Sequence, residues 1–172
     1  PQAELRKPPL AALSMGSLVR FVGEEETRGT RYLMTEKGEG VIAAHCQSVE
    51  EAQAGDYVSI ALRFLETPYL WGGRSGFGID CSGLVQLSIA MTGKSVLRDT
   101  DMQVKSVGSE IERADLRRGD LVFWKGHVGI MEDEKTLLHA NGHTMNEARE
   151  NLDEAIKRIG WLYELPTAFR RP

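Results

Sequence analysis

Hydrophobic and polar positions follow two different rhythms along this chain. Between Leu10 and about Ser48, short apolar runs alternate with turn residues: Ser17–Val22, then Gly23 and the acidic patch Glu24-Glu25-Glu26, then Arg31–Met34, the Lys37-Gly38-Glu39-Gly40 turn, and Val41–Ala43. Short runs joined by Gly-bearing turns predict a small all-β meander or barrel. A piece this small has a thin core and leans on a neighbour or on more chain. Ser48-Val49-Glu50-Glu51 reads as a capping box opening a helical segment. Val58, Ala61, Leu62 and Leu65 have the spacing of an amphipathic helix over Asp56–Leu65, which Pro68 stops. The boundary therefore falls between Glu50 and Gly55, with Gln53-Ala54-Gly55 as a short connector, and separates a β module over 1–50 from a second domain over 51–172.

In the second domain a Gly-rich stretch runs to Gly78, and Asp80 then precedes a strong helical pattern, Cys81 to Met91, with Gly93 as its stop. A weaker helix is expected over Asp101–Val107. The period then changes to that of strands, expected over Asp120–Trp124, His127–Met131, Thr136–Ala140 and Thr144–Ala148, with Asn141-Gly142 as a tight hairpin signal. Asn151–Ile159 reads as a short helix or loop and Trp161–Leu165 as a last strand. Helices first and an antiparallel sheet afterwards predict an α+β fold.

Composition narrows the function classes. The chain has 172 residues, 41% hydrophobic and 27% charged, the profile of a globular protein. Its formal charge of -4 is spread along the chain, so no basic footprint for nucleic acid forms. No run approaches the length of a membrane span, and no basic-then-apolar leader opens the chain. A chain that starts at Pro1 rather than Met reads as a trimmed piece of something longer. Its two cysteines, Cys46 and Cys81, are too few for a disulfide scaffold and lack C-x-x-C spacing. Free thiols and the missing leader favour a cytoplasmic setting, with a periplasmic or secreted one as the alternative for a trimmed chain.

Cys81 is the chemically loaded position. As the first residue of a helix capped by Asp80, its sulfur meets exposed N–H groups and the positive end of the helix dipole, which are expected to lower the thiol pKa. A thiol nucleophile needs a base or ion-pair partner, and that base needs a group on its other ring nitrogen. His127 and His139 lie 12 residues apart on neighbouring strands, where two imidazoles can meet. Each position also has a purely structural reading: Cys81 as a small core residue, the histidines as satisfied core side chains, Asp80 as only a cap. Zinc is disfavoured, because Ala140-Asn141-Gly142 breaks any helix that would align His139 with His143, and neither a cofactor nor a metal is expected. G-x-S-x-G, the phosphate loop and the dinucleotide fingerprint are all absent.

Five ordered blocks carry a family pattern: Thr67-Pro68-Tyr69-Leu70-Trp71-Gly72-Gly73, Gly78-Ile79-Asp80-Cys81-Ser82-Gly83-Leu84-Val85-Gln86, Arg117 to Trp124, His127-Val128-Gly129-Ile130 and Leu138-His139-Ala140. Together they resemble the NlpC-type bacterial cell-wall cysteine peptidases of the papain-like clan, over roughly residues 56 to 165. The resemblance implies a papain-like catalytic domain with Cys81 as nucleophile, His127 as base and His139 as the orienting third member. It also implies that Tyr69 orients the thiol or stabilises the oxyanion, and that Asp80, Ser82, Trp71 and Thr100 contact substrate, although Thr100 stands where the family often has Ser. The N-terminal part looks like the bacterial SH3-type module of the dipeptidyl-peptidase VI branch, as does the loop Gly73-Arg74-Ser75-Gly76-Phe77-Gly78. That branch implies hydrolysis of the γ-D-glutamyl to L-diamino acid bond of murein stem peptides carrying a free N-terminal L-Ala. The free amine would need a carboxylate, for which Asp80 or the Glu24 to Glu26 patch are candidates. Competing readings are a thiolate-dependent acyltransferase or amidase on a lipid or another amide, and an inactive relative that only binds wall peptides.

Overall fold

Arg28 and Gly29, both at positive φ, fold the acidic run of the N-terminal part back against the strand that follows it. Two residues in that conformation match the twist of the strands they join. Strands β1 (Gly23–Thr27) and β2 (Thr30–Met34) pair antiparallel, and β3 (Gly40–Ile42) adds to the other edge of β2. The computed structural model describes residues 3–51 and 55–172, and the chain divides into two units, Pro1–Ala52 and Gln53–Pro172. The described residues of the first unit form this open three-stranded sheet over a small core of Ala3, Tyr32 and Met34, with Ile42 packed beside it.

The strand expected at Ser17–Val22 is not there; the acidic patch itself is β1. Leu18 and Val22 are exposed, and an edge strand open to water takes charged side chains readily, here with Arg31 lying 3.8 Å from Glu24 across the pair. The capping-box pair does form, Ser48 N–H donating to Glu51 Oε2 and Glu51 N–H to Ser48 Oγ. Residues 52–54, in the helix and connector expected beyond it, lie outside the described residues.

In the second unit Asp56 accepts from Val58 N–H and starts α1 (Tyr57–Ala61), which tightens into a 3₁₀ turn over Leu62–Phe64. A small hairpin, β4 (Arg74–Ser75) and β5 (Gly78–Ile79), leads into α2 (Cys81–Ala90), and α3 (Thr100–Ser106) follows. The sheet then builds from β6 (Ser109–Glu110), β7 (Leu121–Trp124), β8 (His127–Met131), β9 (Thr136–Asn141) and β10 (Asn146–Asn151), before α4 (Leu152–Leu162) and β11 (Ala168–Arg171). Its order is β10-β9-β8-β7-β11-β6, antiparallel throughout. Val122, Trp124, Met131 and Leu137 pack with Leu152, Ala155, Ile156 and Ile159 of α4, while α2 lies against β8 and β9.

Two C-terminal expectations are corrected. Asn151 accepts from Asp153 and Glu154 N–H, so a capped helix runs to Leu162 through the positions where a last strand was expected. The apolar residues Trp161, Leu162, Tyr163 and Leu165 are exposed, and the last strand is Ala168–Arg171, inserted between β7 and β6. Strand β10 begins at Asn146 rather than Thr144, because the Asn141 side chain accepts from His143 and Thr144 N–H and prolongs the turn.

On β10, Glu147 is fully buried with neither carboxylate oxygen hydrogen-bonded. Burial pushes its carboxyl up to about 8, with the carboxylates of Glu132 and Glu66 adding to the rise and Arg149 opposing it. Folding therefore takes up a proton here: the stabilising contribution is whole below the unfolded value near 4.5 and is lost as pH rises through about 8. Glu147→Gln, which mimics the protonated acid, is expected to stabilise by on the order of 3 kcal/mol at pH 7 and by little at pH 4. Urea midpoints at the two pH values check this, and equal shifts at both would refute it.

Candidate active site

The geometry starts from Asp80, the cap of α2. Its Oδ1 accepts from Gly83 N–H at 2.6 Å and its Oδ2 from Gly72 N–H at 2.8 Å, which ties the Tyr69–Gly73 loop to the first turn of the helix. Only glycine allows that approach: a Cβ on Gly83 would stand 2.4 Å from the Gly73 carbonyl oxygen, and one on Gly73 2.5 Å from that of Gly78. Arg98 closes the clasp with two further bonds to the carboxylate, Nη1 at 2.9 Å and Nη2 at 2.6 Å, while Nη1 also donates to Ser82 Oγ at 2.8 Å. Burial pushes the Asp80 carboxyl up, but Arg98 and the two backbone donors hold it below the usual carboxylate range. Ser82 Oγ itself donates to Oδ1 at 3.3 Å, so this chain's own donors fill both oxygens of Asp80. Gln103 of α3, fully buried, ties the same turn down by donating to the Ser82 carbonyl.

Cys81 begins α2 and is 6% exposed. Burial raises its thiol pKa and the Asp80 charge raises it further, against the N–H groups of Val128 and Ser82 and the Thr100 hydroxyl. The lowered thiol expected from the helix dipole is thus corrected: desolvation of the sulfur outweighs the donors of the helix tip. The contact with Val128 N–H sets the thiol against the start of β8, one residue after His127.

The β8–β9 register, with Ile130 opposite Leu138 and Met131 opposite Leu137, brings the histidines together. His127 Nε2 lies 2.9 Å from His139 Nδ1, with the rings edge to face. Burial, then His139 and Arg158, hold His127 down at about 3, so its ring is neutral at neutral pH. Behind it, His139 Nε2 lies 3.0 Å from Glu150 Oε2, and Arg158 grips both Glu150 oxygens, Nε at 2.9 Å and Nη2 at 2.6 Å. Burial would raise the Glu150 carboxyl, but Arg158 and His139 bring it down to about 2. The Tyr69 hydroxyl is pushed upward by burial and by the nearby charges of Cys81 and Asp80.

The structure therefore gathers Cys81, Tyr69, Asp80, Ser82 and Thr100 around one helix tip and joins His127 to His139. Trp71 stands on the loop above, 82% exposed. His143 lies exposed in a turn, and among the described residues no group of three or more His, Cys, Asp or Glu is placed to hold a metal. Sequence reasoning missed Glu150, Arg158 and the pairing of Arg98 with Asp80. A signal existed for Glu150, which stands two residues from Ala148, the register partner of His139, and so shares its face.

Residues 66–159 match the model of the NlpC/P60 family. The chain belongs to the NlpC/P60 cysteine peptidase family. Similar to this NlpC/P60 chain is dipeptidyl-peptidase 6 of Lysinibacillus sphaericus, 27% identical over 94% of this chain and 68% of that protein. A gamma-D-glutamyl-L-lysine dipeptidyl-peptidase of Bacillus subtilis is 38% identical over 54% of this chain, which spans only 34% of that relative's length. Among solved structures, an NlpC/P60 family protein from Bacillus cereus has the same fold, with a TM-score of 0.71 at 21% identity over 92% of this chain and 55% of that one. The NlpC/p60 domain of the peptidoglycan hydrolase SagA gives a TM-score of 0.56 at 27% identity over 67% of this chain and 96% of that one.

Proposed function

We propose that this NlpC/P60 chain is a cysteine peptidase that hydrolyses the γ-D-glutamyl to L-diamino acid bond of murein stem peptides carrying a free N-terminal L-Ala. The observation that carries this reading is the 2.9 Å pairing of His127 with His139 at the strand whose next backbone N–H faces the Cys81 thiol. The names of the Lysinibacillus and Bacillus subtilis relatives support the substrate class. With thiol and imidazole both neutral at rest, His127 acts as general base. It takes the Sγ proton as sulfur attacks the γ-D-glutamyl carbonyl, then gives that proton to the departing amine. The N–H of Cys81 at the helix tip and the Tyr69 hydroxyl are suited to the oxyanion. Water, activated by the same ring, hydrolyses the thioester. Ser82 and Thr100 flank the sulfur and are assigned to the substrate's dipeptide. We read the first unit as an SH3-type module, on its three-stranded sheet and strand spacing.

The test is mass spectrometry after incubation with the free tripeptide L-Ala-γ-D-Glu-L-Lys, its diaminopimelate counterpart, and both peptides N-acetylated. The free peptides are expected to release L-Ala-γ-D-Glu, and the acetylated ones to react more slowly by on the order of tenfold or more, the cost of a lost charged hydrogen bond. Equal rates would overturn the free-amine requirement, and four intact peptides would overturn the bond assignment.

A further inference from the structure

Four side chains form an unbroken line leading away from the thiol: His127 on β8, His139 on β9, Glu150 on β10 and Arg158 on α4. We infer that Glu150, clamped by Arg158, is a positioning residue that determines, two hydrogen bonds away, which ring nitrogen of His127 carries the proton.

An ionised carboxylate only accepts. Arg158 occupies both Glu150 oxygens with charged donors, so the carboxyl has no proton to offer. His139 Nε2, 3.0 Å from Oε2, must then be the N–H that donates. A neutral imidazole has one such N–H, which leaves His139 Nδ1 as a lone pair, and His127 Nε2 at 2.9 Å must donate into it. His127 Nδ1 is thereby left as the free lone pair and the only nitrogen able to take a proton.

The opposite arrangement would aim a lone pair of the fully buried His139 at the carboxylate, two acceptors facing each other with no proton between them. A second N–H on His139 would instead donate from Nδ1 into His127 Nε2 and move the His127 proton to Nδ1, the arrangement that the tautomer measurement distinguishes. When His127 becomes imidazolium during attack, its Nε2–H keeps the same acceptor and Glu150 supplies the nearest negative charge behind it. The proton moves only from Sγ to Nδ1 and on to the leaving amine, and none passes to Glu150. The backbone explains why these two residues can do this: Asn151, between them in sequence, ends β10 and caps α4, so the turn that aims Glu150 inward also starts the helix that returns Arg158 to it.

This inference rests on the peptidase reading for its kinetic consequence but not for its structural one. The decisive measurement is a long-range ¹H–¹⁵N correlation of the imidazoles in the uniformly ¹⁵N-labelled chain at pH 7, without substrate. Both His127 and His139 are expected to be protonated on Nε2 and bare on Nδ1. A proton on His127 Nδ1, or a doubly protonated His139, would overturn the inference whatever the enzyme cleaves.

Glu150→Gln puts an amide N–H₂ where Arg158 or His139 points a donor, so it is expected to populate both tautomers. It should lower kcat on the tripeptide by on the order of 10- to 100-fold, with KM moving less than about threefold, since a wrong tautomer costs the reaction and not binding. Glu150→Asp, which keeps the charge, should restore part of the loss. Unaltered tautomers and kcat in Glu150→Gln would refute the role. Wild-type rings in the expected tautomer beside an uncut tripeptide would leave the inference standing and sink the peptidase reading.

Discussion

Cys81→Ala is expected to reduce cleavage of the free tripeptide by on the order of 100,000-fold or more, to the level of an empty site, because the remaining groups cannot form the acyl intermediate. The protein should still fold. Ala removes only a sulfur from a site already lined by backbone, a loss of about 1 kcal/mol in transfer and packing. Wild-type turnover in that variant would end the proposed mechanism. The same residue offers a second readout, since burial and the Asp80 charge hold its thiol in the protonated form. Alkylation of Cys81 by iodoacetamide, followed peptide by peptide so that Cys46 is scored separately, should climb only at a pH above that at which an ordinary cysteine ionises. A Cys81 thiolate already formed at pH 7 would mean a preformed ion pair with His127 in place of general-base attack.

The largest expected loss of stability comes from Arg98→Met. Asp80 keeps 9% of its side chain exposed and Arg98 26%, and the pair meets through two hydrogen bonds. Removing the cation leaves a buried carboxylate with only Gly72, Gly83 and Ser82 as donors, an uncompensated charge worth about 3 kcal/mol given the partial exposure of Arg98. The Asp80 carboxyl is held low in the folded chain, so its contribution is present above the unfolded value near 3.8 and fades as pH falls through the folded one. The deficit of Arg98→Met should therefore be greatest near pH 7 and shrink below about pH 4, as read from urea midpoints. Adding Asp80→Asn should return part of it, since the orphaned charge is then gone. A deficit under about 1 kcal/mol at pH 7 would show that the clasp contributes little. Loosening the clasp also frees the loop that carries Tyr69 and the first turn that carries Cys81, so activity should fall along with stability.

Much of this site was legible without coordinates because its parts are local. An Asp before a helical apolar pattern caps α2 and brings Cys81 to its tip, and period-two runs broken by short turns set His127 and His139 on adjacent strands. The thiol pKa was not legible, since its sign depends on how deeply the sulfur is covered. Neither was β1: the most acidic segment of the first unit makes the edge strand, while the more apolar Ser17–Val22 run stays out of the sheet.

The chain's own pattern determined the Asp80 cap, the helix that starts at Cys81 and the neighbouring strands that carry His127 and His139, since each depends on residues a few positions apart. Tertiary structure alone decided which long-range partners complete them. Strand β11 enters the sheet between β7 and β6, and Arg171 reaches the buried Asp120 across 51 positions of sequence. Arg98 reaches Asp80 across 18 positions, and His139 meets Glu150 across 11. Such pairs leave no periodic trace, because burial decides them: a charge or ring nitrogen shut away from water must find a partner, and only the folded chain brings one within reach.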